Sequence, residues 1–145
     1  MIWTPRTTVA AIIEQDQQFL MVEEVIDGIM KINQPAGHLE SDESLIEAVI
    51  RETQEETAWQ FQPTALTGIY RWIAPNNETY MRYCFTGNLI EHNNNQALDA
   101  DIHQAIWLSH EQISARQNDC RSPLILDCLN DYLAGHRYPL TLLHN

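Results

Sequence analysis

Positive charge is what this sequence most lacks. It has eight bases against twenty acids, a net charge of −12 with histidine neutral, and Lys31 is its one lysine. A field of that sign repels polyphosphate strands and argues against coating DNA or RNA. Long apolar runs are missing too. Nothing approaches the roughly 20 residues of a membrane helix, and the run Val9–Ile13 stops at Glu14, too short for a signal peptide. Cys84, Cys120 and Cys128 are odd in number and form no CxxC pair, which suggests neither a disulfide framework nor a zinc site. Each is expected to be a buried small hydrophobe in a reduced, cytoplasmic protein. No repeat or linker interrupts the 145 residues, so one domain over 1–145 is expected.

What is present alternates between strand and helix signals. Thr7–Ile13 and Phe19–Glu23 read as a strand–turn–strand hairpin. Asp27-Gly28 and Asn33–Gly37 read as breaks. Residues 42–57 read as a helix capped by Asp42 or Ser41, with Glu43 in the first turn and Ile46, Val49, Ile50 and Thr53 as its apolar stripe. Thr67–Ala74 and Tyr80–Ile90 read as strands joined at Pro75-Asn76-Asn77, followed by a loop over Glu91–Asn95. Ile102–Leu108 is a further strand, Ser109 opens a short helix, and Pro123–Ala134 is a longer one ended by Gly135. The mix implies an α/β or α+β domain.

The acid is concentrated. Residues 40–56 hold seven carboxylates and one base, Arg51, which is half the net charge. At about 100° per residue, Glu52, Glu55 and Glu56 share one helix face. Such neighbours repel by about as much as an i,i+4 ion pair would stabilise, and no lysine is interleaved to relieve them. A divalent cation with a preference for hard oxygen ligands, Mg²⁺ or Mn²⁺, would neutralise the cluster.

The spacing around this cluster is specific. Gly37, five residues, Glu43, seven residues, then Arg51-Glu52-x-x-Glu55-Glu56 resembles the box of the Nudix hydrolases at six positions. Three positions depart from the pattern: Ala36 replaces the first of two glycines, Thr53 stands where a bulky aliphatic is usual, and Ala58 stands where glycine closes the helix. The resemblance implies a Nudix fold, an α/β/α sandwich around a mixed β-sheet. It also implies that Glu52, Glu55 and Glu56 hold metal with the carbonyl near Gly37, and that Glu43 and Arg51 brace loop to helix. The general base stays open between Glu55, Glu56 and Asp101, the last lying ahead of Trp107.

Outside the box, FLMVEEVIDG, NQPAGHLESDESL, YRWIAP, YMRYCF and RSPLILDCLNDYLAGHRYPL resemble the phosphatase NudJ group of the family. That group removes phosphate from nucleoside tri- and diphosphates, from the pyrimidine diphosphate HMP-PP and from thiamine diphosphate, using Mg²⁺. Arg82 alternates with Met81 and Tyr83 and so points to one face, where an arginine grips phosphate in two-point fashion. Asn33 and Gln34 are candidates for a ring edge, Trp72, Tyr70 and Tyr80 for stacking, and Arg121 for a second phosphate contact. His38 is expected to be structural. A small-molecule diphosphate is the expected partner, with no nucleic acid polymer and no membrane, and a monomer is expected. Two other readings remain open: an ADP-ribose pyrophosphatase, from Pro75 about 16 residues past the box, and an inactive nucleotide sensor, against which all four box glutamates stand.

Overall fold

The run Val9–Ile13 organises the molecule because it is buried on both faces. Val9, Ala11 and Ile13 join Ala48, Val49, Phe61 and Phe85 on one side. Ala10 and Ile12 join Cys84, Ile125, Cys128 and Leu129 on the other. A strand covered twice reads as a continuous apolar run rather than an alternating one. The computed structural model describes residues 1–145.

Strand β1 (Arg6–Ile12) is antiparallel to β5 (Ala36–His38) on one edge and parallel to β7 (Thr79–His92) on the other. The long β6 (Trp59–Ile73) completes this mixed sheet in the order β5-β1-β7-β6. A second, antiparallel sheet centres on β3 (Gln18–Ile26), flanked by β8 (Ile102–Ser109) and by the short β2 (Glu14–Gln15) and β4 (Ile29–Asn33). Helix α1 (Leu45–Thr57) covers the Val9 face; α2 (His110–Ala115) and α3 (Leu124–Leu133) supply Ile113, Ile125 and Leu129 to the other. This is the expected α/β/α arrangement around a mixed sheet.

Three local expectations change. The expected first hairpin is only a tip, because the chain leaves β1 at Ile13 and changes sheets. Only Glu14 and Gln15 pair with β3. The break expected at Asp27-Gly28 is present as a hairpin turn into β4, with φ 50° and 76°. Helix α1 starts three residues later than its acids suggested. Ser44 is the cap, accepting from Glu47 N–H, while the Glu47 side chain accepts from Ser44 N–H. Strand β6 begins immediately after α1, with Pro63 accommodated where the register shifts between Pro63 and Ala65.

Two further positions differ. Cys120 is half-buried, unlike Cys84 and Cys128. Ala58 closes α1 at φ 62°, so alanine adopts the left-handed cap that glycine usually takes. Its methyl group is buried. Ala58→Val, with a β-branched side chain in that conformation, should cost about 1–3 kcal/mol, read as a lower midpoint in urea unfolding.

Candidate active site

The box residues meet at β5. Side chains alternate along this strand, so Gly37 faces α1 while Ala36 and His38 face away. A Cβ at Gly37 would fall on the Glu52 carboxylate, so glycine is what lets the helix approach. One residue earlier, Ala36 N–H donates to Glu56 Oε1 at 2.9 Å. The turn of α1 carrying Glu52 and Glu56 is therefore pressed directly against this strand.

Arg51 fixes the approach. Its Nε and Nη2 bond both oxygens of Glu43 at 3.0 and 2.7 Å, the two-point geometry that suits guanidinium to carboxylate. Nη1 reaches Glu52 at 2.8 Å and Glu55 at 3.2 Å, and Nη2 also donates to the His38 carbonyl at 3.1 Å. Glu43 lies before the helix, not in its first turn, and its Oε1 also accepts from Glu40 N–H at 2.8 Å. The sequence offered no lysine to relieve the acid face; this one arginine relieves part of it.

A residue that sequence reasoning missed completes the cluster. One oxygen each from Glu52, Glu55 and Asp99 lies within 4.8 Å of the others. Asp99 is delivered by the loop before β8. Its N–H donates to the Glu55 carbonyl at 3.1 Å, and Gln54 and Gln96 exchange two bonds of 2.7 Å. Asp101 lines the same acidic cavity, of about 480 Å³, but lies outside that cluster, and its carbonyl accepts from Val25 N–H. Within Asp99-Ala100-Asp101 nothing in the sequence distinguishes the two acids; the loop's bonds to α1 do. Glu56 also lines the cavity without joining the cluster. Glu24, 4% exposed, was missed as well, although an acid inside the apolar run of β3 is a readable signal.

A second cavity, of about 260 Å³, opens on the other side of β5. It brings together Asn33, Trp72, Tyr80, Arg82 and Arg121. Trp72 and Tyr80 pack at 5.7 Å between centroids. Ala36, Gly37, His38 and Arg121 line both cavities, so the two are one cleft with an acidic end and an aromatic end. Arg121 is held at the junction by Glu24, at 2.8 Å. Two candidates fall elsewhere. Gln34 is buried beneath the cleft, donating to the Ile125 carbonyl at 2.9 Å, and Tyr70 donates its hydroxyl to Asp131 and lines a separate cavity with it.

This arrangement has relatives. The NUDIX domain family model matches residues 4–128. The chain belongs to the Nudix hydrolase family. Phosphatase NudJ of Escherichia coli (strain K12) is 40% identical over 142 residues, 98% of this chain and 92% of the relative. NudJ of Shigella flexneri is equally similar. A Nudix hydrolase from Nitrosomonas europaea has the same fold at TM-score 0.96, with 47% identity over 98% of this chain and 97% of its own. A UDP-X diphosphatase, 19% identical, covers 96% of this chain and 68% of its own at TM-score 0.77, which speaks to fold alone. As a Nudix hydrolase, the protein is an enzyme acting on phosphoanhydrides.

The electrostatics of the hydrolase fit a cation at the cluster. Burial pushes the Glu56 carboxyl up to about 9, with Glu24, Glu52 and Asp99 adding to the rise. Burial also pushes Glu52 up to about 7, against the pull of Arg51. Carboxylates gathered at this cost, presenting only hard oxygen atoms, suit a small divalent ion. The departures from the family pattern leave them in place. Thr53 is buried in α1 with its hydroxyl unpartnered, and Ala36 supplies the N–H that holds Glu56.

Two predictions follow from these contacts. Gly37→Ala should displace Glu52 and lower activity at least about tenfold, while the far-ultraviolet circular dichroism stays unchanged. Both raised carboxyls bind protons more tightly folded than unfolded. The stability they contribute to the metal-free protein is therefore present below the usual 4.5 and lost as pH rises through about 7 and about 9. Glu56→Gln, which keeps an acceptor for Ala36 N–H, should flatten that loss. Its metal-free melting midpoint at pH 8 should lie above that of the parent protein.

Proposed function

We propose that this enzyme is a NudJ-like phosphatase. It would remove terminal phosphate from nucleoside tri- and diphosphates and from small heterocycle diphosphates such as HMP-PP and thiamine diphosphate. The observation that carries this reading is the single cleft, acidic at one end and aromatic at the other, with Arg121 where they meet. A diphosphate tethered to a ring spans such a cleft; an aromatic cavity of about 260 Å³ suits a compact ring better than a polymer. The relatives named phosphatase NudJ support the same assignment.

Glu52, Glu55 and Asp99 would hold Mg²⁺ or Mn²⁺, with the carbonyl near Gly37 turned to the same space. The bound cation supplies screening of the phosphate charge and a more acidic water. Arg121 orients the phosphate chain. Trp72, Tyr80 and Asn33 hold the ring, and Arg82 closes that end. Glu56 has Oε1 committed to Ala36 N–H; with a cation at the cluster offsetting the burial that keeps this carboxyl protonated, Oε2 would be free to take the proton of the attacking water. The water oxygen bonds phosphorus, the bridging P–O bond breaks, and orthophosphate leaves. Glu55 supports the reaction by fixing the cluster, and Asp101 contributes negative charge at the rim. We further read the enzyme as a cytoplasmic monomer that needs neither a nucleic acid polymer nor a membrane. No helix is long and apolar enough to cross one.

The ADP-ribose reading gains no specific observation, since Pro75 lies outside both cavities of the cleft. One substrate panel with Mg²⁺ tests the proposal: HMP-PP, thiamine diphosphate, nucleoside tri- and diphosphates, and ADP-ribose, with products identified. Orthophosphate from the first groups is expected. AMP and ribose phosphate from ADP-ribose, as the dominant reaction, would overturn it. Glu56→Gln should cut turnover by orders of magnitude with the fold intact, whereas Asp101→Asn should stay within about tenfold of the parent.

A further inference from the structure

We propose that the aromatic end of the cleft selects rings carrying two adjacent hydrogen-bond acceptors, and that Arg82 and Asn33 are the residues that select them. This deepens the reading of the cleft as a substrate site and rests on it.

Arg82 is 5% exposed, the one arginine in the chain that is buried. Arg6, Arg51, Arg116 and Arg121 all have carboxylate partners; Arg82 has none. Its one side-chain hydrogen bond runs from Nη2 to Asn33 Oδ1, at 2.9 Å. A guanidinium left this way is costly unless something else satisfies its remaining N–H groups. Those groups are not sealed inside the protein, where the unpartnered buried atoms are Gln34 Oε1 and Thr53 Oγ1. They open to the cavity that Arg82 lines.

The bond to Arg82 also settles which way Asn33 faces. A guanidinium only donates, so the Asn33 oxygen must meet it and the amide Nδ2 must turn away. Nδ2 has no protein partner either, and Asn33 lines the same cavity. The pair therefore presents N–H donors from two side chains and no acceptor.

Position distinguishes this donor set from a phosphate grip. Arg121 and His38 line both halves of the cleft, but Arg82 lines only the aromatic half. Across β6 and β7, Trp72 pairs with Tyr80 and Tyr70 with Arg82, so Arg82 lies one step along the same sheet face from the Trp72–Tyr80 pair. With phosphates at the acidic end, the ring reaches Arg82. Its planar fork matches two neighbouring acceptors, as in cytosine O2/N3 or guanine O6/N7. Uracil would instead turn N3–H toward the donors, and adenine its amino group. Among the proposed substrates, this ranks cytidine and guanosine diphosphates above HMP-PP, whose ring nitrogens have no carbonyl oxygen beside them.

Calorimetric binding of product monophosphates tests this without turnover. CMP should bind the parent enzyme about tenfold or more tightly than UMP, or GMP than AMP. Discrimination in the first pair alone identifies a one-ring site, and in the second alone a two-ring site. Arg82→Gln should cost the preferred nucleotide at least about tenfold more than it costs ribose 5-phosphate. Should that variant fail to fold, Asn33→Asp, which gives Arg82 a carboxylate and removes Nδ2, should abolish the same preference. Equal binding within both pairs would overturn the proposal. So would equal losses for nucleotide and ribose 5-phosphate, or no measurable binding of any monophosphate. A substrate panel that released no orthophosphate would overturn the phosphatase reading instead, and the binding preference would still be measured.

Discussion

Arg51 sits where the acidic half of this protein would otherwise repel itself. One guanidinium contacts Glu43 before the helix, Glu52 and Glu55 on it, and the His38 carbonyl on β5. Helix, loop and strand are thereby fixed to a common point by charge-assisted bonds. Such bonds are stronger and more directional than the contacts of an ordinary exposed helix. Without that anchor, the cluster would have no reason to keep its carboxylates in register. Arg51 neutralises only part of the charge, and what it leaves over makes the site receptive to a cation.

The strand β5 turns this local geometry into a cleft. Because it is a strand, adjacent side chains point to opposite faces: Gly37 leaves room for Glu52, while Ala36 and His38 turn the other way, and all three residues border both ends of the cleft. The backbone contributes as well, through the Ala36 N–H that holds Glu56. Three residues thus form the wall shared by the acidic and the aromatic ends. The sheet behind them is stiff because β1 is packed on both faces, so the wall has a fixed position.

Much of this was legible in the chain. The spacing of Gly37, Glu43, Arg51, Glu52, Glu55 and Glu56 is local, and a helix converts local spacing into a shared face. The β1 run, the β8 strand and α3 were readable for the same reason. Long-range pairing was harder. The change of sheets at Ile13 depends on which strand β1 meets, not on its own residues. The start of α1 was misread because Ser41, Asp42 and Ser44 are all good caps, and only the reciprocal bonds of Ser44 and Glu47 decide among them.

By itself the sequence determined that a cluster of glutamates would lie on one helix face, beside a glycine and an arginine able to brace it. It also determined that a buried-looking strand would carry Arg82 on one face. Tertiary structure alone decided that Asp99 rather than Asp101 joins Glu52 and Glu55, and that Gln34 supports the core instead of facing the cleft. It also decided that Arg121 answers to Glu24 and Arg82 to no carboxylate. The reason is physical: periodicity sets which side of an element a residue occupies. Only the packing of distant elements sets which charges meet and which are left for a ligand.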